Sequence, residues 1–223
     1  MSEHTVTAFD DDLNFLVTKI SEMGGNAESM VARSVSSLLS ADKGLGQSVV
    51  ADDKILDALQ VEVDDHIVLL IAKRQPMAQD LREAIGALRM ATDIERIGDL
   101  AKNVARRSFQ IEDNLPPKKL QRGLQHLTNV SLEQLKDALD AYVSKDVEKA
   151  CHVWDRDDEI DSLYTSLFRE LLTYMMEDPR NITYCTHLLF CAKNLERVGD
   201  HVTNLAETIH YIVTGSYEIN TEQ

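Results

Sequence analysis

Four pairs of acidic residues, each pair spaced four positions apart, have the residue types and the spacing to do chemistry. The pairs are Asp53 with Asp57, Glu95 with Asp99, Asp157 with Asp161, and Glu196 with Asp200. Residues four apart lie on one face of a helix, about 6 Å from each other, so each pair presents a column of oxygen donors. Like charges at this spacing cost a few tenths of a kcal/mol unless something compensates them.

Two arrangements can compensate this concentration of negative charge. Carboxylates from two neighbouring helices can bridge a hard or borderline cation such as Fe, Mn, Mg or Zn. The candidate supporting residues for such a site are Asn103, Asn204, Arg96 and Arg197. In the other arrangement the acids bind no ligand, and they face solvent or form salt bridges to Arg89, Arg96, Lys102 or Arg197. The residues alone leave both arrangements open.

Signatures of other chemistries are missing from the sequence. It lacks the two Glu-x-x-His pairs that a di-iron site needs, since only Glu207 with His210 has this spacing, and His201 stands five positions from Glu196, which predicts a place at the surface or the bundle edge. It also lacks a Gly-x-x-x-x-Gly-Lys-Ser/Thr phosphate loop, a Gly-x-Ser-x-Gly elbow and a His-Glu-x-x-His zinc motif. The prediction is therefore a non-enzymatic protein.

The elements that carry these residues are predicted to be helices. Aromatic residues make up only 5% of the 223 residues, and 9 glycines and 4 prolines are too few for a turn-rich β fold. Apolar residues recur with the 3.6-residue helical period between breakers such as Pro116 and Pro117. Six helices are predicted, over about residues 9–41, 47–73, 78–112, 120–143, 147–177 and 182–214.

The chain contains an internal duplication. Residues 88–105 align without gaps on residues 189–206, and both copies contain the motif Glu-Arg-(Ile/Val)-Gly-Asp. The helices before them also align, three residues out of phase with the first alignment. Helical periodicity alone would reproduce the apolar positions but not the matching Glu, Gly, Asp and Asn residues. The sequence therefore predicts an all-α protein of two tandem, pseudo-repeated three-helix bundles, over residues 1–115 and 116–223.

Small residues recur every seven positions on the last helix of each predicted bundle. They are Ala84, Ala91, Gly98 and Ala105 in the first half, and Cys185, Ala192, Gly199 and Ala206 in the second. Small side chains at heptad spacing let helix axes approach closely along one seam. We therefore expect the last helix of each half to pack tightly against its neighbours.

Composition bears on partners and on cellular location. A formal net charge of −15 repels nucleic-acid phosphates and anionic lipids, and favours basic patches on partner proteins. No apolar run reaches the roughly 18 residues that a membrane span needs. The three cysteines form no Cys-x-x-Cys pair, and the N-terminus does not match a signal peptide. A cytoplasmic protein without direct membrane insertion is expected.

With the repeat and its motifs in hand, the chain resembles the PhoU family of bacterial phosphate uptake. The first-half marks are Pro76-x-x-x-Asp80-Leu81-Arg82, the run from Asp93 to Asp99 with Asn103, and Met23-Gly24 on the first helix. The second-half marks are the run from Leu195 to His201 with Asn204, Ala206 and Glu207. The second half lacks a clear Asp-Leu-Arg counterpart near Pro179, so nothing tied to that segment transfers to it.

The resemblance implies two three-helix bundles, a homodimer, and a negative regulator of the phosphate-starvation response. It implies a link between the ATPase subunit of a phosphate ABC transporter and a membrane-bound sensor histidine kinase. It also implies that acidic motifs can hold iron or zinc, and these motifs correspond here to the four pairs named above. The first hypothesis is accordingly a cytoplasmic adaptor. The alternatives are a metal-carboxylate protein for metal-dependent chemistry or storage, and a helical scaffold whose acids serve only solubility and packing.

Overall fold

The computed structural model describes the backbone of residues 2–111 and 117–219, and the side chains of those ranges from residue 11 onward. Seven α-helices and one 3₁₀ turn at Pro179–Asn181 follow each other, and the described chain contains no strand. The helices are α1 (Ser2–Ser40), α2 (Lys43–Arg74), α3 (Gln79–Ser108), α4 (Lys118–Ser144), α5 (Val147–Asp155), α6 (Asp157–Glu177) and α7 (Ile182–Thr214).

The start of the second helix is set in the same way in both halves. Asp42 caps α2 by accepting a hydrogen bond from the backbone N–H of Leu45, and Asp146 caps α5 by accepting one from Lys149. An aspartate in this position satisfies a backbone donor that the helix itself leaves unpaired. Asp42 and Asp146 are equivalent in the repeat. The duplication therefore preserves the helix boundary as well as the acidic columns.

The predicted fifth helix is wrong as a continuous element, because the chain breaks it between α5 and α6 at Arg156. The side-chain amide of Gln134 on α4 donates to the backbone carbonyl of Arg156 at 3.1 Å. This buried side chain gives the carbonyl a partner outside the helix. Gly24 and Gly25 lie within an uninterrupted α1. The predicted third helix is too long at its end, since α3 ends at Ser108 and residues 109–111 are not helical. The predicted boundary at residues 115–116 lies outside the described residues.

The architecture of two tandem three-helix bundles is confirmed. The first bundle packs α1, α2 and α3 together, and the second packs α4, the α5–α6 pair and α7. The predicted small-residue seam is buried along its whole length in both halves. A Cβ added at Gly98 would collide with Leu56, and one added at Gly199 would lie 2.7 Å from Cδ1 of Ile160. The absence of a side chain at these two glycines therefore sets the helix spacing.

The two bundles lie side by side through α3 against α7 and α1 against α4. The α3–α7 pair is antiparallel, since Gly86 near the start of α3 meets Ile212 near the end of α7, and Arg107 near the end of α3 meets His187 near the start of α7. Glycine again allows the close approach at Gly86. Among the described helices, none has an apolar stretch long enough to cross a membrane.

Candidate functional site

The first acidic cluster lies between α2 and α3, where Asp53 and Asp57 face Glu95 and Asp99. These four residues influence one another electrostatically across the two helices. Asp53 is almost fully buried, whereas Asp57 on the next turn is exposed. The two columns predicted on separate helices thus come together in one cluster, which we call the first cluster.

A lysine joins the two sides of the first cluster. The Nζ of Lys102 on α3 donates to Asp53 Oδ2 on α2 at 2.6 Å and to Asp99 Oδ1 on its own helix at 2.5 Å. The lysine side chain is only 16% exposed, so water screens these ion pairs weakly. Arg96 adds longer contacts to Glu95 at 3.6 Å and to Asp99 at 3.4 Å from the solvent side. The first cluster is thus compensated internally.

The pKa values in the first cluster reflect burial and crowding. Burial raises the pKa of Glu95, and the neighbouring charge of Asp99 raises it further. Burial also raises the pKa of Asp57, with Asp53 adding to the shift. Burial opposes the charge on Lys102, but its hydrogen bonds to Asp53 and Asp99 outweigh that effect and raise its pKa. The lysine is therefore held in its charged form.

The second cluster occupies the equivalent place between α6 and α7. It contains Asp157 and Asp161 on α6, with Glu196 and Asp200 on α7. Burial raises the pKa of Asp161, and the charges of Glu196 and Asp157 raise it further. Burial likewise raises the pKa of Asp200, and Asp157 and Asp161 add to this although Lys193 opposes it. The second cluster thus retains repulsion between its carboxylates, as the first cluster does at Asp57 and Glu95.

The basic residue of the second cluster is placed differently. Lys193 donates to Glu196 Oε1 at 2.5 Å on its own helix. The other oxygen of this glutamate, Oε2, is buried and has no hydrogen-bond partner in the described part of the protein. Thr203, the repeat equivalent of Lys102, donates its hydroxyl to Asp157 Oδ1 at 2.8 Å. A neutral hydroxyl therefore makes the contact to the neighbouring helix that an ammonium group makes in the first cluster.

The candidate supporting residues divide into two groups. Arg96 contacts the first cluster from the solvent side, as described, and Asn103 and Arg197 are likewise exposed. Asn204 turns away from the second cluster and donates to Asp93 Oδ1 on α3 at 3.2 Å. The amide of Asn204 thus connects the two bundles and does not belong to the acidic column.

His201 also bonds across the two bundles. Its Nδ1 lies 2.8 Å from Asp93 Oδ1, and its side chain is largely buried. The same α3–α7 junction contains a groove of about 320 Å³ beside Asp93, where the hydroxyl of Tyr217 accepts from Arg89. Sequence reasoning missed this contact. The available signal was a departure from the repeat, because His201 stands where the first copy has Leu100.

The two clusters differ in how well they fit a metal ion. Their carboxylate oxygens are suitable donors for a hard cation. Within the described ranges, no three His, Cys, Asp or Glu side chains are grouped so that they could hold a metal ion. In the first cluster Lys102 already bonds carboxylates from both helices, so the residues there do not fit. In the second cluster the unpartnered Oε2 of Glu196 is an available donor, but the described carboxylates around it do not form a ready-made metal site.

Comparison with known proteins identifies one family in both halves. A family model described as the PhoU domain matches residues 20–108 and again residues 124–209. The first match covers about half of α1 and all of α2 and α3, and the second covers most of α4, all of α5 and α6 and most of α7. The duplication read from the sequence is thereby confirmed, since each half matches the same model.

Named relatives match nearly the whole chain. A protein of Rhizobium meliloti (strain 1021) called phosphate-specific transport system accessory protein PhoU homolog is 57% identical, over 96% of this chain and 90% of its own. A Caulobacter vibrioides (strain NA1000 / CB15N) protein of the same name is 48% identical over 96% and 94%. A crystal structure of PhoU from Pseudomonas aeruginosa, 36% identical, superposes with a TM-score of 0.88 and covers 93% of this chain and all of that one.

Proposed function

The chain belongs to the PhoU family, and from that premise we propose that it is a regulatory accessory protein of phosphate uptake. The observation that carries the proposal is the extent of the likeness, since relatives named as phosphate transport accessory proteins match 96% of the chain. A structure of 26% identity, named as a phosphate transport system regulatory protein from Streptococcus pneumoniae, superposes with a TM-score of 0.87 and covers 95% of this chain and 100% of its own.

In finer detail, we propose a non-enzymatic cytoplasmic adaptor that represses the phosphate-starvation response. Its partners would be the ATPase subunit of a phosphate ABC transporter and a membrane-bound sensor histidine kinase, and it would act as a homodimer. The net charge of −15 supports partners with basic surfaces, because opposite charge speeds encounter and like charge suppresses wrong partners.

Deletion of the gene tests the regulatory role. Alkaline phosphatase activity should rise in phosphate-rich medium in the deletion strain and return to its low level when the wild-type gene is restored. Unchanged activity would refute the role. Binding of the purified protein to the separately purified ATPase subunit and kinase tests the adaptor detail, and binding that does not weaken with added salt would contradict an electrostatic contribution.

A second candidate property is cation binding at the second cluster. The buried, unpartnered Oε2 of Glu196 favours it, because an unpaired buried carboxylate oxygen is costly and a cation would relieve that cost. Asp157, Asp161, Glu196 and Asp200 would act as ligands only after their side chains move together, and the chemistry supplied would be charge neutralisation between α6 and α7. The names of the relatives do not support the alternative of metal-dependent catalysis or storage.

Elemental analysis of purified protein tests the cation site. Wild-type protein should contain stoichiometric metal, and Glu196→Ala combined with Asp200→Ala should lose it. Metal content that is sub-stoichiometric in the wild type and unaltered in the double variant would remove the proposal. The deletion strain complemented with the same variant shows separately whether regulation needs the site.

A further inference from the structure

We infer that Lys102 takes the place of a cation in the first cluster, so that α2 and α3 are clamped by a built-in ammonium group and this half excludes divalent metal. The inference departs from the family resemblance, which points to both acidic clusters as metal sites. It concerns one residue of this chain and does not depend on the regulatory role proposed above.

The position of the ammonium group carries the argument. Lys102 Nζ lies within hydrogen-bond distance of Asp53 Oδ2 on α2 and Asp99 Oδ1 on α3. It thus bridges carboxylates from two helices, which is what a metal ion between the two columns would do. All three side chains are more than two-thirds buried, so these ion pairs form largely away from water.

The charge of Lys102 then opposes a metal at the same place. A divalent ion bound by Asp53 and Asp99 would lie close to the ammonium group, and charges of the same sign repel strongly where water is excluded. One oxygen of each of these two carboxylates, Asp53 Oδ2 and Asp99 Oδ1, is also already engaged as an acceptor. Metal binding would therefore require the lysine side chain to leave the cluster.

The second cluster has the equivalent carboxylates but no lysine at the position equivalent to Lys102. The equivalent position is Thr203, whose hydroxyl bonds Asp157, and the lysine of that half stands instead at position 193. From there Lys193 bonds only Glu196 on its own helix and leaves the other oxygen of that residue unpartnered. The two halves have thus exchanged lysine and threonine, since the equivalent of Lys193 is Thr92.

A Mn²⁺ titration of the first cluster alone tests the inference. The parent is the full-length chain with Glu196→Gln and Asp200→Asn, which disables the second cluster. Adding Lys102→Thr, which copies the second half, should create a site for one Mn²⁺ ion per chain. Calorimetry should show affinity at least about tenfold higher than that of the parent, or about 1.4 kcal/mol.

Control variants separate this effect from a general loss of positive charge. Lys54→Thr removes an exposed lysine from α2 in the same parent and should leave Mn²⁺ affinity unchanged. Adding Glu95→Gln and Asp99→Asn to the Lys102→Thr chain should abolish the new site. Lys102→Met preserves the aliphatic length and replaces Lys102→Thr if circular dichroism shows the latter to be unfolded.

Two results would overturn the inference. One is stoichiometric Mn²⁺ binding by the parent that Glu95→Gln with Asp99→Asn abolishes, because the lysine would then not exclude metal. The other is a folded Lys102→Thr chain that gains no Mn²⁺. If neither variant at position 102 folds, the parent measurement decides alone. None of these outcomes depends on the alkaline phosphatase result, so the regulatory role stands or falls separately.

Discussion

The first and second clusters use the same helix positions for their acids and differ in where each half places its lysine. In the first, Lys102 reaches the neighbouring helix and compensates Asp53 and Asp99 together. In the second, Lys193 compensates Glu196 from the same helix, and the hydrogen bond to Asp157 on α6 comes from the neutral hydroxyl of Thr203. The two copies of the duplicated unit thus keep all four carboxylates of the cluster. Their electrostatics nevertheless differ, because lysine and threonine have exchanged positions between the halves.

Both clusters lie on a helix that packs through a buried glycine, Gly98 or Gly199, but the packing around the glycine is less adaptable in the second half. We expect Gly199→Ala to destabilise the protein by about 3 kcal/mol, the upper end of overpacking costs. The added methyl would lie within 3.4 Å of three atoms of Ile160, including its Cβ, and a β-branched side chain cannot rotate away easily. Gly98→Ala should cost only about 1 kcal/mol, because only a terminal methyl of Leu56 comes close. Urea unfolding of both variants measures the difference.

Gly25→Ala is the matched control for both substitutions. Nothing lies within 4 Å of a Cβ added at Gly25, and the residue is exposed within α1. The substitution should therefore stabilise the protein by up to about 1 kcal/mol through helix propensity alone. Equal costs at Gly98 and Gly199 would show that the two seams are equally adaptable.

The two lysines should differ in their contribution to stability. Lys102→Met leaves Asp53 and Asp99 without their shared partner, so we expect a loss of about 2 kcal/mol at pH 7, below the range for a fully buried pair. Lys193→Met should cost less than about 1 kcal/mol, because the Lys193 side chain is 47% exposed. Chemical denaturation in buffer containing a chelator measures both. A larger loss of stability for Lys193→Met than for Lys102→Met would show that the second cluster depends more on its lysine than the first.

The second cluster should respond to mild acid. The raised pKa values of Asp161 and Asp200 mean that the folded state binds protons more readily than the unfolded chain, so this repulsion lowers stability as pH rises above the ordinary aspartate range. Asp161→Asn with Asp200→Asn should therefore stabilise metal-free protein at pH 7 by less than about 1 kcal/mol after solvent screening. The gain should shrink toward pH 4. A gain independent of pH would exclude this cause.

The first cluster, whose Asp57 and Glu95 also have raised pKa values, should respond at alkaline pH as well. The raised pKa of Lys102 means that its contribution is fully present below 10.5, the ordinary lysine value, and is lost as pH rises through the higher folded value. The stability difference between wild type and Lys102→Met should accordingly narrow above about pH 10.5. A difference that stays constant across this range would show that the loss arises from packing rather than from charge.

The smallest expected effect comes from copying the lysine into the second half. Thr203→Lys should stabilise metal-free protein by about 0.5 kcal/mol, since the new ion pairs replace the hydroxyl bond to Asp157. The same change should abolish any metal binding at the second cluster. Denaturation and elemental analysis read these two effects separately. Retained metal would contradict the exclusion of metal by a bridging lysine.

The sequence predicted the parts of the molecule that follow from periodicity and repetition. Glu95 and Asp99 had to share a helix face, and their recurrence as Glu196 and Asp200 indicated equal surroundings. Lys102 was recognised as a possible salt-bridge partner, but its reach to Asp53 depends on the distance between two helices. That distance follows from the packing of Gly98 against Leu56 and cannot be read from spacing along one helix.

Other features depend on contacts between distant parts of the chain. The break at Arg156 contains no proline or glycine, and at this point Gln134 on another helix donates to the Arg156 carbonyl. Asn204 continues the acidic column in sequence, yet Asp93 on α3 accepts its hydrogen bond. A polar side chain at the edge of a helix face can turn toward either of two neighbouring helices. For Asn204, the acceptor on the other bundle determines the direction.

The contact of Asp93 with His201 has a consequence for how the chain evolved. The antiparallel α3–α7 pairing joins two copies of one unit, with the geometry of a twofold homodimer interface. In a homodimer of two first-half copies, Leu100 would stand at the position of His201. Asp93 would then face a leucine, with which it cannot form a hydrogen bond, on both sides of the twofold axis. Fusion of the copies into one gene removed that symmetry requirement and let each side mutate alone. The Asp93–His201 pair therefore occurs once here, whereas a symmetric homodimer would make such a pair twice or not at all.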